Sequence, residues 1–308
     1  MIGINSIAVY LPADSIDNVE QGASFGETED FIRGKIGATK LTRKADTEET
    51  SDIAVAAVEA LAANSGLRFD QIDALVVVTQ NPDGSGLPHT AAIVQSKLGL
   101  SENVAAFDVS LGCSGFVYGL TILKGLMHEA ELKNGVLITA DPYSKVLDPE
   151  DRVTSLLFGD AATATWLSAD ARWKIGKPLL ATDGSGSDNL RVRDGRLEMN
   201  GRQVFNFAAL RVPPQINALL KAENLDPEDV DIYCIHQGSA AIVDAVSRRF
   251  RTVKDRFILD MDETGNTVSS TVPILLSKYM DNPDVNRILI SGFGVGLSWA
   301  TSILTKRT

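Results

Sequence analysis

The stretch AAFDVSLGCSGFVYGL, residues 105–120, sets Cys113 between Leu111-Gly112 and Ser114-Gly115. The apolar run before it reads as a buried strand. The run after it, SGFVYGLTILKGLMHEA (114–130), reads as a long helix. That helix is too apolar for a surface element and belongs in a layer between two sheets. A cysteine at this junction feels the unpaired N–H groups of a helix start, which favour thiolate, the nucleophilic form. The glycines on either side let the backbone turn sharply and bring N–H groups near a substrate carbonyl, as in an oxyanion hole. The plainer reading of Cys113 is a small buried residue filling a gap.

Outward from this stretch the same order of elements occurs twice. Helix 51–65, strand IDALVVVTQ (72–80), helix 90–100, strand AAFDV, helix 114–130 and strand GVLITA (135–140) make the first set. Helix PPQINALLKAENL (213–225), strand DIYCIHQ, helix AAIVDAVSRRF (240–250), strand RFILDMD, helix TVSSTVPILLSKYM (267–280) and strand RILISGFG make the second. The match is one of pattern, with weak letter identity. It predicts an α/β fold of parallel or mixed sheets, two halves, and the apolar helices 114–130 and 267–280 in the centre of a five-layer sandwich. The halves are taken as 1–165 and 166–308. TDGSGSDNLRVRDGR, within 166–212, reads as surface turns.

Three polar residues fall at matching places in this plan. Cys113 precedes one central helix, Asn266 in ETGNTVSS precedes the other, and His236 ends the strand DIYCI. If the halves pack about a pseudo-twofold, all three face one cavity. Taken alone, Asn266 reads as a helix cap. His128 reads as a helix-end residue and His89 as a loop residue. Asp108 and Asp160 read as structural acids that hydrogen-bond loop backbone.

Composition narrows the function. The chain has 308 residues, 44% hydrophobic and 22% charged, with a net charge of −11. This is an ordinary globular balance, and such acidity disfavours general nucleic-acid binding. Two cysteines suggest no disulfide framework, and cysteine and histidine lack metal-ligand spacing. SGFGVGLSW (291–299) does not have the spacing of a dinucleotide fingerprint. MIGINSIAVYLPADS lacks the basic start and apolar core of a signal peptide, and no apolar stretch is long enough to span a membrane. A cytoplasmic protein is expected.

Several ordered motifs then resemble one family, the beta-ketoacyl-acyl-carrier-protein synthase III enzymes of the thiolase fold. DVSLGCSGFVYGL is similar to the family's nucleophile segment, LLFGDAATA to its FGDGAGA motif, and MNGRQVFNFA, which holds Phe205, to its mid-chain signature. IHQGSA, ETGNTVSST and SGFGVGLSWA, which holds Phe293, resemble its HQAN, GNTSSAS and closing glycine-loop segments. The resemblance covers essentially the whole chain. It implies that Cys113 carries an acyl group and that His236 and Asn266 complete a triad. The backbone N–H groups of Cys113 and Val295 would form the oxyanion hole. Decarboxylative condensation with a malonyl thioester would follow. The implied substrates are acyl-CoA or acyl-carrier-protein thioesters and malonyl thioester, with no cofactor and no metal. The implied assembly is a homodimer in which a loop near Leu87 reaches the partner's acyl pocket.

Some positions depart from that pattern. Phe31 replaces a tryptophan that would stack on adenine, Lys35 takes an arginine position, Ser239 replaces the HQAN asparagine, and Ala241 replaces a phosphate-binding arginine. Arg152 remains a candidate phosphate contact, and Arg248, Arg249 and Arg251 offer a basic patch for an acidic carrier protein. These changes bear on donor and partner more than on chemistry. Two other readings remain open at this point: a relative that passes its acyl group to oxygen or nitrogen, and a non-catalytic scaffold of the same fold.

Overall fold

The computed structural model describes residues 2–307. The first half contains β1 (Gly3–Tyr10), α1 (Thr50–Ser65), β2 (Ala74–Val78), α2 (Thr90–Lys97), β3 (Ala105–Val109), α3 (Gly115–Glu129), β4 (Asn134–Ala140) and β5 (Ala162–Ser168). The second contains β6 (Trp173–Ile175), β7 (Leu179–Thr182), α4 (Gly201–Ala222), β8 (Ile232–Ile235), α5 (Ala240–Ser247), α6 (Thr271–Tyr279), β9 (Arg287–Gly294) and β10 (Ser298–Lys306). Strand order in the first half is β3-β2-β4-β5-β1, with β2 parallel to both β3 and β4. In the second half β8 runs parallel to β9, β9 and β10 form an antiparallel hairpin, and β6 and β7 both pair with β10. The short β6 also pairs with β1, which joins the halves into one continuous sheet of ten strands.

The alternation of side chains along each strand separates the layers. In β2, Ala74, Val76 and Val78 face a central core, while Leu75 and Val77 face α1 and α2. In β8, Ile232 and Cys234 join that same central core, while Tyr233 and Ile235 face α4 and α5. The central core is filled by Phe116, Val117, Leu120 and Leu123 of α3 and by Val272, Leu275 and Leu276 of α6. Helices therefore lie outside each half of the sheet and between the two halves. Each fully buried Leu, Val or Phe in this layer contributes roughly 1.5–3 kcal/mol of burial, which is why α3 and α6 carry few charges.

Three expectations are corrected. RFILDMD forms no second strand: only Phe257 makes a bridge, parallel to Tyr233, although it lies where β3 lies in the first half. Ile258 N–H still donates to Tyr233 O at 3.3 Å, but Asp260 N–H donates to Gln237 Oε1 and continues no ladder. The helix expected from Pro213 begins at Gly201, capped by Asn200, and runs through Pro213 and Pro214. Proline's fixed φ suits a helix, and burial of Val212, Pro213, Ile216 and Leu219 offsets the lost hydrogen bonds. Finally, Leu190–Arg193 and Arg196–Met199 form a two-stranded ribbon around Asp194 and Gly195, both at positive φ. No helix among the described residues is long and apolar enough to cross a membrane.

Candidate active site

The site is assembled from four chain segments that end at the same level of the two half-sheets. Cys113 lies in the turn between β3 and α3, and His236 is the first residue after β8. Gly294 closes β9, and Asn266 precedes a 3-10 turn that leads into α6. The main chain of Cys113 sits directly on β9. A Cβ on Gly292 would lie 2.6 Å from the Cys113 carbonyl oxygen, and one on Gly294 would lie 2.7 Å from the Cys113 sulfur. The Ser114 and Ser298 hydroxyls, 2.6 Å apart, fasten the start of α3 to β10.

Asn266 is held from both sides by the LLFGD segment. Its N–H donates to Leu157 O at 2.9 Å, and its carbonyl accepts from Gly159 N–H at 3.0 Å. A Cβ on Gly159 would collide with the Thr264 carbonyl, so this strand contact requires glycine. Asp160 is fully buried and accepts from Lys44 N–H at 3.1 Å and Ser144 N–H at 3.3 Å. Asp108 accepts from Thr90 and Ala91 N–H at the start of α2, at 2.7 and 2.8 Å. Both acids thus serve loop and helix-start backbone.

Cys113, His236 and Asn266 all line one cavity of about 280 Å³. Phe31, Lys35, Arg152, Phe205, Ser239 and Phe293 line it as well. Its floor is buried: Cys113, His236 and Asn266 are each 3% exposed. Lys35, Arg152 and Val153 are exposed and form the rim. Leu87 is not part of this cavity and is 92% exposed. His89 is also elsewhere, with Nε2 3.2 Å from Ala106 O.

The polarity of each group follows from its partners. Asn266 Oδ1 accepts from Val268 N–H at 2.9 Å, which fixes the amide so that Nδ2 is the atom left to donate. Nδ2 donates a long bond of 3.5 Å to Gly238 O. His236 Nδ1 is 2.7 Å from Thr271 Oγ1, and Phe293 meets the ring edge-on at 5.4 Å. Burial pushes the His236 pKa down to about 3, against a smaller opposing pull from the Val268 backbone. The ring is therefore neutral at physiological pH and carries one N–H.

Cys113 behaves differently from the thiolate expectation. Burial pushes its thiol up to about 12, and the carboxyl of Asp141 pushes the same way. The N–H groups of Val295 and of Cys113 itself pull downward, as the helix-start argument anticipates, but they do not offset the burial. At rest the sulfur is a thiol. Those same two N–H groups act on the sulfur, which makes them the candidates to meet an acyl carbonyl attached there. The flanking glycines are also needed for a different reason from the one expected. Neither Gly112 nor Gly115 has a positive φ. A Cβ on Gly112 would meet Gln80 Oε1 at 2.6 Å and Val295 Cγ1 at 2.7 Å, so the requirement is for close packing behind the thiol.

At the rim, Arg152 is ion-paired with Glu27, so its charge is already partly answered. Ser239 caps α5 by accepting from Ile242 N–H at 3.2 Å. Cys234 packs in the central apolar core and does not line this cavity. Sequence reading missed most of the apolar wall, namely Leu157, Phe158, Leu190, Met199, Val204 and Ala208. Leu190 and Met199 face each other across the 190–199 ribbon. Its signal was present: an Asp-Gly pair flanked by alternating apolar and charged residues is a strong hairpin pattern.

Comparison with known proteins relates the whole chain to one family. The family model described as 3-Oxoacyl-[acyl-carrier-protein (ACP)] synthase III matches residues 107–184, and its C-terminal counterpart matches 220–306. A beta-ketoacyl-[acyl-carrier-protein] synthase III of Streptococcus agalactiae is 37% identical over 319 residues, spanning 98% of each chain. One from Lactococcus lactis is 33% identical over 325 residues, also spanning 98% of each. The crystal structure of the Thermus thermophilus enzyme of that name superposes with a TM-score of 0.91 at 30% identity, covering 99% of both chains.

Proposed function

The chain belongs to the beta-ketoacyl-[acyl-carrier-protein] synthase III family, and from that premise we propose that Cys113 is its acylated nucleophile and that His236 and Asn266 stabilise the second, decarboxylative step. The protein is an acyltransferase with the thiolase-like α/β fold, and it performs a Claisen condensation through an active-site cysteine. The observation that carries the residue assignment is the single cavity in which one thiol, one neutral imidazole and one oriented amide N–H₂ share the buried floor.

In the first step the Cys113 sulfur attacks the carbonyl of an acyl thioester. A carbon–sulfur bond forms to Cys113, the original carbon–sulfur bond breaks, and the thiol proton leaves with the departing sulfur. Developing charge on the carbonyl oxygen is met by the N–H groups of Cys113 and Val295. In the second step a malonyl thioester occupies the cavity, and its thioester carbonyl accepts from His236 Nε2–H and Asn266 Nδ2–H. Loss of carbon dioxide leaves an enolate, whose charge those donors stabilise as it forms. Its carbon attacks the acyl group on Cys113, a carbon–carbon bond forms, and the bond to sulfur breaks. The sulfur takes up one proton, so each turnover consumes a proton and releases carbon dioxide.

The apolar wall of Leu157, Phe158, Leu190 and Met199 suits a hydrocarbon acyl chain. Phe31, Lys35 and Arg152 would hold the phosphate-bearing arm of the thioester at the rim. Because Arg152 is paired with Glu27, a phosphate must compete with a carboxylate there. The apolar, 92% exposed Leu87 fits a homodimer in which it reaches the partner's acyl pocket. Supplied with an acyl thioester and a malonyl thioester, the protein is expected to release one carbon dioxide for each β-keto thioester formed. Consumption of acyl thioester that needs an alcohol or amine and leaves malonyl thioester intact would overturn this reading.

A further inference from the structure

The mouth of the cavity carries two cations, Lys35 and Arg152, and they stand in different states. The Lys35 ammonium has no ion-pair or hydrogen-bond partner among the described residues. Arg152 is paired with Glu27, which lies 125 residues away in the chain. The carboxylate is the more buried partner, with its side chain 21% exposed against 46% for the arginine. The acid is therefore the more confined member of the pair, and the guanidinium is the one open to a ligand. Glu27 N–H donates to Gly22 O at 3.0 Å, and Thr28 caps the turn that leads to Phe31 in the cavity wall. Asp151, beside Arg152 in the chain, has its oxygens taken up by Val153 and Thr154, so Glu27 is the acid that answers Arg152. A phosphate arriving at Arg152 meets this carboxylate, and two anions at one guanidinium repel each other. At Lys35 there is no such competitor.

We propose that Glu27 is a specificity-determining residue that disfavours phosphate-rich thioester donors. It holds Arg152 and leaves Lys35 as the unanswered cation at the mouth. That mouth suits an arm with a single phosphate, such as phosphopantetheine, over coenzyme A with its diphosphate and 3′-phosphate. The proposal rests on the reading above of this cavity as the thioester site. A half-exposed ion pair contributes little to folding, so Glu27 acts on the choice between donors more than on the fold.

Binding of the free thiols reads the effect without turnover. Calorimetry with pantetheine, 4′-phosphopantetheine and coenzyme A compares the parent with Glu27→Gln, which keeps the side chain's shape and removes its charge. The expected result is coenzyme A bound about fivefold more tightly by Glu27→Gln, phosphopantetheine changed by less than about twofold, and pantetheine unchanged. Adding Arg152→Met to Glu27→Gln should remove the gain. Unchanged coenzyme A affinity in a folded Glu27→Gln protein, or no binding in either protein, would overturn the proposal. So would equal gains for all the thiols, which would mean that the mouth had changed shape, or a gain that survives the loss of Arg152. If the parent loaded no acyl group on Cys113, the proposed function would fail while these affinities remained readable.

Discussion

His236→Ala is expected to lose condensation by about 10²–10³-fold while still accepting an acyl group on Cys113. The imidazole lies on the cavity floor, and in the proposed function it donates to the malonyl carbonyl in the second step only, while the first step draws its donors from two backbone N–H groups. Asn266→Ala should show the same split, since its Nδ2 is turned outward by the Val268 N–H. The two losses should not add fully, because both donors serve one oxygen. Single-turnover mass measurements on the acyl-enzyme, set beside carbon dioxide release, check this. Equal loss of both half-reactions in His236→Ala would show instead that the ring is needed to load the cysteine.

Gly294→Ala should stop acyl loading without unfolding the protein. The added Cβ would lie 2.7 Å from the Cys113 sulfur and 2.8 Å from its Cβ. Neither the sulfur nor the new methyl has room to yield, because Cys113 is 3% exposed and its main chain rests against Gly292. Overpacking of this kind costs about 1–3 kcal/mol of stability, which a chain of this size survives. The displaced nucleophile is the larger effect: misplacement by about 1 Å costs on the order of 10²-fold in rate. A control is Gly125→Ala on the exposed side of α3, where an added Cβ meets nothing within 4 Å. Its acylation rate should match the parent's. Acylation at the parental rate in a folded Gly294→Ala protein would mean that the sulfur is not confined as described.

The parts of this molecule legible in the sequence were those set by periodicity. The apolar helices at 114–130 and 267–280 could be read because apolar residues cover more than one face of each, and both lie between the two half-sheets. The positions of Cys113, His236 and Asn266 at strand ends and helix starts followed from the same repeat, which is why their meeting in one cavity could be anticipated. What was not legible depends on depth and on contacts distant in sequence. The helix-start argument gave the direction of one influence on Cys113 but not the burial that outweighs it. The start of α4 at Gly201 was hidden by Pro213 and Pro214, which read locally as a helix beginning. Gly159 is required by a carbonyl more than a hundred residues away, at Thr264, and nothing nearby in the chain announces that contact. Leu190 and Met199 could have been found, because the Asp-Gly turn between their strands is a local signal.

The whole account turns on where an acyl group first becomes attached. Incubation with an acyl thioester, in the absence of any malonyl thioester, followed by intact and peptide mass spectrometry, reads this directly. The predicted result is one acyl group per chain, carried by the peptide containing Cys113 and absent in Cys113→Ala. An acyl group that persists in Cys113→Ala, or that is found on Cys234 in the apolar core, would contradict it.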